Sequence, residues 1–97
     1  MIRRDGTRML VSGPVTLANV GEVLEAGSRL LGEGATTIDL GEVTELDSAL
    51  LAAVLCWMRE ARAAKRELTL ERSPAGMASL ATLYGVDTLL SGAQADR

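Results

Sequence analysis

A ten-residue apolar run, from Ala49 to Met58, constrains the fold of this chain more than any other segment. It follows directly on Asp47 and Ser48, two residue types that favour the first position of a helix. A bilayer span needs about 20 apolar residues, so the run predicts a helix of a globular domain and not a transmembrane segment. Because the run is apolar around its whole circumference, one core-facing stripe does not account for it.

Helical spacing divides this run into two neighbouring apolar stripes. One passes through Leu51 and Leu55. The other passes through Leu50, Val54 and Trp57, which share an adjacent face at 100° per residue. Two explanations remain open: a wide intramolecular groove buries both stripes, or the second stripe meets a partner protein. The predicted partner interface consists of Ala49, Leu50, Ala53, Val54 and Trp57.

The rest of the chain alternates strand and helix patterns. Asp5-Gly6 predicts a hairpin turn between strands 1–4 and 7–12. Thr16 is the predicted cap of a first helix with Leu17 on its apolar face. Further strands are expected over 36–40 and 68–71, and a last helix follows Ser73-Pro74. This order predicts an α/β fold, with a mixed β-sheet of about four strands and three main helices packed on it. We expect one domain over 1–90 and a flexible tail over 91–97.

Composition argues against several functions. A net charge of −3 and a pI near 4.9 do not favour binding to nucleic acid. Histidine is absent and Cys56 is the one cysteine, so no metal site, no cofactor and no His-based catalytic triad is expected. No phosphate-binding or dinucleotide-binding glycine motif occurs among the ten glycines. The first residues lack the apolar segment of a signal peptide, so we expect a cytoplasmic protein.

Two groups of charged residues leave alternatives open. Asp39 and Asp47 could form a general acid and base pair, although an aspartate before a helix more often caps it. Four basic residues at a predicted helix end either complement the helix dipole or contact an acidic partner or lipid headgroups. These residues are Arg59, Arg62, Lys65 and Arg66.

Ser48 has two competing explanations as well. A hydroxyl at a helix N-terminus is a common capping group. The same position has unpaired backbone N–H groups and a positive dipole end, so a phosphate is tolerated there. The residue types alone do not decide between a structural cap and a modified or partner-contacting hydroxyl.

The order of short motifs in the chain resembles the STAS family, small domains that include bacterial anti-sigma factor antagonists. The matching segments are Gly13-Pro14-Val15-Thr16, Ile38-Asp39-Leu40, Leu46-Asp47-Ser48 and Leu80-Ala81-Thr82-Leu83-Tyr84-Gly85-Val86. In signalling members the hydroxyl residue after the loop aspartate is phosphorylated by a partner kinase, and that position here is Ser48. The family pattern continues with a small residue and a glycine, whereas this chain continues with Ala49-Leu50-Leu51.

Within that family the chain looks most like the MlaB-type STAS subunit of the phospholipid-transport ABC system that maintains outer-membrane lipid asymmetry. The resemblance implies a cytoplasmic accessory subunit with no reaction of its own, held at the inner face of the inner membrane by an ABC transporter ATPase subunit. Asp47 and Ser48 are then expected at the contact. The alternative is an anti-sigma factor antagonist whose partner is an anti-sigma factor serine kinase that phosphorylates Ser48.

Overall fold

The computed structural model describes residues 1–91, which form one four-stranded sheet with helices packed against it. The predicted tail lies outside the described residues from 92 onward, and Ser91 closes the last helix. The strands are β1 (Ile2–Asp5), β2 (Arg8–Val15), β3 (Thr37–Leu46) and β4 (Thr69–Glu71), and the helices are α1 (Val20–Gly32), α2 (Ser48–Ala63), α3 (Ala75–Leu83) and the short α4 (Asp87–Ser91). The predicted mixed sheet with packed helices is confirmed.

The sheet has the order β1-β2-β3-β4. β1 and β2 form the predicted antiparallel hairpin, while β2–β3 and β3–β4 are parallel pairs. Parallel neighbours need a crossover connection, which α1 supplies for the first pair and α2 for the second. The two crossover helices pack against each other. Among residues 1–91, no helix has the length and apolar character needed to cross a membrane.

The core lies between one face of the sheet and these helices. Met9, Val11, Ile38 and Leu70 are fully buried. Ile38 and Leu70 have polar residues on either side along their strands, as expected for a sheet covered on one face, while the partly buried Leu10 stands between Met9 and Val11. Successive side chains of a strand point to opposite faces of the sheet. Arg8, Asp39 and Glu71, which are next to buried residues in their strands, therefore lie on the face that no helix covers.

Both apolar stripes of α2 belong to this core, which corrects the expectation that the second stripe meets a partner. Leu50, Val54 and Trp57 have no exposed surface, Ala53 is 1 % exposed and Ala49 is 8 % exposed. The physical reason is that α2 shares one core with the strands and also contacts α1 and α3. A helix with packed elements on several sides can be apolar around most of its circumference without any exposed interface.

Trp57 fixes the distance between α1 and α2. Its indole N–H donates a hydrogen bond to the backbone carbonyl of Leu24 at 3.1 Å. A β-carbon placed on Gly27 of α1 would lie 2.3 Å from the Trp57 ring, closer than van der Waals contact permits. The ring therefore occupies space that any other residue at position 27 would fill, and glycine is required there because the helices approach so closely.

We predict that Gly27→Ala lowers the free energy of unfolding by about 2–3 kcal/mol, because a core next to a fully buried ring has no room for an added methyl group. Gly21→Ala is the matched control on the same helix, since a β-carbon there meets nothing within 4 Å. That control is expected to be stabilising by about 0.5–1 kcal/mol. Urea denaturation of the two variants measures both values, and equal effects would contradict this packing.

On the helix-free face, Asp39 and Arg72 form a two-pronged ion pair. Arg72 Nε and one terminal nitrogen each lie 2.9 Å from a different Asp39 oxygen, and the Gly41 N–H donates to the same carboxylate at 2.9 Å. Asp39 is 4 % exposed. Burial alone would raise its pKa, but the hydrogen bonds from Arg72 and Gly41, with the nearby charge of Arg8, hold the pKa below its ordinary value of 3.8.

Arg72→Gln is expected to lower the free energy of unfolding near neutral pH, because it leaves the buried Asp39 carboxylate without its charged partner, although solvent screening of the exposed Arg72 side chain reduces the loss. A lowered carboxyl pKa contributes stability that is present above the unfolded-state value near 3.8 and is lost as pH falls through the folded-state value. The difference between wild type and variant should therefore shrink below pH 3.8. Urea unfolding across pH measures it, and a difference that grows at low pH would contradict the ion pair.

Candidate partner-binding site

The end of β3 delivers Asp47 and Ser48 to the edge of the sheet. β3 continues to Leu46, six residues beyond the predicted end at Leu40. Its last residues pair with the end of β2, with Val15 opposite Leu46. Because these two strands are parallel and end together, the loop after β2 and the start of α2 meet at the same place.

Asp47 joins these two segments through its carboxylate. One oxygen accepts a hydrogen bond from the Ala49 N–H at 2.8 Å, which caps α2. The other oxygen accepts a hydrogen bond from the Leu17 N–H at 3.1 Å. The predicted capping role is confirmed, and the bond to the preceding loop is an additional contact that a local capping rule does not predict.

The loop before α1 forms a hydrogen-bonded turn. Thr16 N–H donates to Asn19 Oδ1 at 3.0 Å, and the Asn19 N–H donates to the Thr16 carbonyl at 3.0 Å. The Asn19 side chain also donates to the Pro14 carbonyl at 2.8 Å. As a result α1 begins at Val20, and the prediction that Thr16 caps this helix is wrong because residues 16–19 satisfy one another instead.

This turn changes the location of Leu17. The periodicity of the sequence assigned Leu17 to the core face of the first helix, whereas the structure leaves its side chain 79 % exposed. The turn therefore places an exposed apolar side chain on the loop that is bonded to Asp47. The signal that could have identified it is the Gly13-Pro14 break followed by Thr16 and Asn19, a pattern typical of a turn.

Ser48 is the first residue of α2 and is exposed. Within the described part of the chain its hydroxyl has no hydrogen-bond partner, because Asp47 provides the cap. The structural explanation of Ser48 as the N-cap is therefore wrong. Its hydroxyl is left accessible beside the Asp47 carboxylate, and we refer to Leu17, Asp47 and Ser48 together as the Asp47 surface.

The predicted acid and base pair does not form. Asp39 and Asp47 are separated by eight positions along and just past β3, a separation of about 25 Å in an extended strand. The Asp39 carboxylate instead forms an ion pair with Arg72 on the helix-free face. Across residues 1–91, no group of three or more acidic or cysteine side chains is placed to hold a metal ion.

Comparison with known proteins identifies the family. The family model described as "Mlab, STAS domain" matches residues 2–91. The chain therefore belongs to the STAS domain family. No curated protein matches the sequence significantly.

Solved structures share the fold. The chain is similar to the anti-sigma factor antagonist SpoIIAA in its unphosphorylated form, with 18 % identity, a TM-score of 0.70, and coverage of 100 % of this chain and 86 % of that one. The Bacillus cell fate determinant SpoIIAA in the phosphorylated form gives 20 % identity, a TM-score of 0.69, and coverage of 100 % and 89 %. A structure of Mglu gives 20 % identity and a TM-score of 0.55, with coverage of 77 % of this chain and 19 % of that one. Identities this low establish a shared fold alone.

The two residues of the pair Asp47 and Ser48 should respond differently to mutation. Asp47→Ala removes the cap and the bond to Leu17 together, so we expect a loss of about 1–2 kcal/mol of stability. Ser48→Ala removes a hydroxyl without an internal partner, so its effect should lie within about 0.5 kcal/mol. Thermal or urea unfolding compares them. If Ser48→Ala were the more destabilising change, the assignment of the cap to Asp47 would be wrong.

Proposed function

We propose that this protein is a non-catalytic accessory subunit that binds the ATPase subunit of an ABC phospholipid transporter maintaining outer-membrane lipid asymmetry. Its contact is the Asp47 surface. In this role the protein stays at the inner face of the inner membrane through its partner and stabilises the ATPase without catalysing a reaction of its own. The match of a family model named for Mlab over residues 2–91 is the sequence support for this proposal.

The observation that carries the proposal is that the Asp47 carboxylate joins two segments, one bearing the exposed Leu17 and the other the exposed Ser48, through hydrogen bonds from the N–H groups of Leu17 and Ala49. An apolar side chain on an ordered loop loses little conformational entropy on binding. A neighbouring hydroxyl can donate and accept a hydrogen bond, which adds specificity. The combination of an apolar contact with a polar group beside it is common at protein interfaces.

With the α2 stripe buried, Asp47 and Ser48 are the residues of the predicted contact that remain at the surface. Asp47 is half-buried and Ser48 is exposed, so a partner can reach both. Substitutions such as Trp57→Ala or Leu50→Glu would damage the core first. They therefore do not test binding, and exposed positions are needed instead.

A second candidate function is that of an anti-sigma factor antagonist controlled by phosphorylation of Ser48. The exposed Ser48 hydroxyl, which does not cap the helix, favours this function, because a kinase can approach the hydroxyl without breaking an internal hydrogen bond. The fold relative SpoIIAA has been solved in unphosphorylated and phosphorylated forms. A phosphate here would add about −1.5 to −2 charges beside Asp47 and would repel an acidic partner surface. The partner in this case is an anti-sigma factor serine kinase.

Leu17→Glu should weaken binding of the ATPase subunit at least tenfold, which corresponds to about 1.4 kcal/mol, because a charge replaces an apolar contact. Ser48→Ala should weaken it by about threefold to tenfold, the value of one neutral hydrogen bond. Both variants should keep the far-ultraviolet circular dichroism of the wild type. Calorimetry or surface plasmon resonance with the purified ATPase from the same cells measures the affinities.

Leu83→Glu is the matched control, since Leu83 is a similarly exposed leucine, 74 % exposed, at the end of α3. It should bind like the wild type. Equal weakening by Leu17→Glu and Leu83→Glu would remove the Asp47 surface from the contact. If the ATPase did not bind while an anti-sigma factor kinase phosphorylated Ser48, the transporter role would be wrong and the second candidate would replace it.

A further inference from the structure

A groove lies at the end of α2 opposite to Ser48. Its volume is about 590 Å³, and it is bounded by the last turns of α2, the segment that leads into β4, and α4. Met58, Leu68 and Leu89 give it an apolar surface, and Leu89 is 49 % exposed. The length of α2 separates this groove from the Asp47 surface by about 22 Å. The two surfaces therefore do not overlap.

The groove is positively charged in an otherwise acidic protein. Among residues 1–91, three cations line it, Arg62, Lys65 and Arg66, against one carboxylate, Glu67, while the whole chain has a net charge of −3. Arg66 is engaged, since its guanidinium donates to the Ala35 carbonyl at 2.8 Å. In the described part of the chain, no carboxylate lies within ion-pair distance of Arg62 or Lys65. Arg62 and Lys65 are therefore available to bind an anion.

Lys65 occupies a backbone conformation that glycine usually adopts. Three helices end in the same hydrogen-bonded motif, in which the residue after the cap has a positive φ. After α1 and α3 that residue is glycine, Gly34 with φ 109° and Gly85 with φ 74°. After α2 it is Lys65, with φ 58°, and the motif is completed by the Arg66 N–H bond to the Ala61 carbonyl at 2.9 Å. A lysine is strained where glycine is not, so this chain places an ammonium group at the groove at a cost in stability.

We propose that this groove binds an amphiphilic anion, a phosphate or carboxylate head on an apolar chain. The head would lie between Arg62 and Lys65, and the chain would cover Met58, Leu68 and Leu89. A volume of about 590 Å³ is typical of a small-molecule site. None of the described residues that line the groove is aromatic, so they offer no ring on which a nucleobase could stack.

The favourable effect of cations at a helix C-terminus is the competing explanation for this cluster. It accounts for the presence of positive charge at the end of α2, but it does not require the apolar groove beside it. It also predicts that loss of the Lys65 charge changes stability alone. The amphiphile proposal predicts a loss of binding in addition, and this difference can be measured.

The test is calorimetric titration of the full chain with dodecyl phosphate below its micelle concentration, compared with inorganic phosphate and with dodecyl maltoside. Dodecyl phosphate should bind saturably with one molecule per chain, at least tenfold more tightly than either control. Lys65→Asn removes the charge while keeping a residue that tolerates positive φ, and it should weaken binding at least fivefold. Arg62→Gln should do the same.

Arg59→Gln is the matched control, because Arg59 is an exposed cation of the same helix that does not line the groove. It should leave the affinity for dodecyl phosphate unchanged. Lys65→Gly should raise the thermal midpoint while weakening binding, a combination that a purely structural lysine would not produce. Leu89→Ser should reduce the affinity for dodecyl phosphate but not for inorganic phosphate.

Several results would overturn the proposal. Equal affinity for dodecyl maltoside would mean that the groove recognises apolar chains alone, and unchanged affinity in Lys65→Asn would remove the cation from the site. Equal losses in Arg59→Gln and Arg62→Gln would show general charge attraction. Tighter binding of an acidic, leucine-rich peptide than of dodecyl phosphate would make the groove a protein-docking surface instead.

Discussion

The contact between Trp57 and Gly27 determines how the rest of this structure is arranged. The buried ring occupies the space of a side chain on α1, and its N–H bonds to the Leu24 carbonyl at 3.1 Å. α1 and α2 are the two crossover helices of the parallel strands, so the distance between them sets how both lie on the sheet. Aromatic residues make up 2 % of the chain. The Trp57 ring therefore fills a volume of the core that several aromatic side chains would fill in a typical domain. The orientation of α2, and hence of the groups at both its ends, follows from this contact.

The two ends of α2 have opposite chemistry because the helix itself is polar. At its N-terminus, Asp47 caps the backbone and also holds the Leu17 loop, which leaves Ser48 exposed. At its C-terminus, Arg62 and Lys65 line an apolar groove. Each arrangement agrees with the direction of the helix dipole. The same rigid element therefore presents an acidic, hydroxyl-bearing surface at one end and a basic one at the other, about 22 Å apart.

Much of the fold could be predicted from the sequence because local rules determined it. The Asp5-Gly6 hairpin, the strand and helix alternation and the Asp47 cap depend on residues close together in the chain. Features that depend on distant residues were not predictable. The burial of Trp57 requires Gly27 of another helix, and the length of β3 requires pairing with β2, which overrides the weak strand propensity of 41–46. Leu17 fitted the helical period, yet hydrogen bonds within its turn removed it from the helix.

Site-specific photo-crosslinking in native cells would test directly whether the Asp47 surface binds the ATPase subunit. A benzophenone amino acid is placed at position 17 on the Asp47 surface or, as a control, at position 83 on α3. We expect position 17 to crosslink to an ABC transporter ATPase subunit and position 83 not to do so. Crosslinking of the ATPase from position 83 alone, or crosslinking from position 17 to an anti-sigma factor kinase in place of the ATPase, would contradict this expectation.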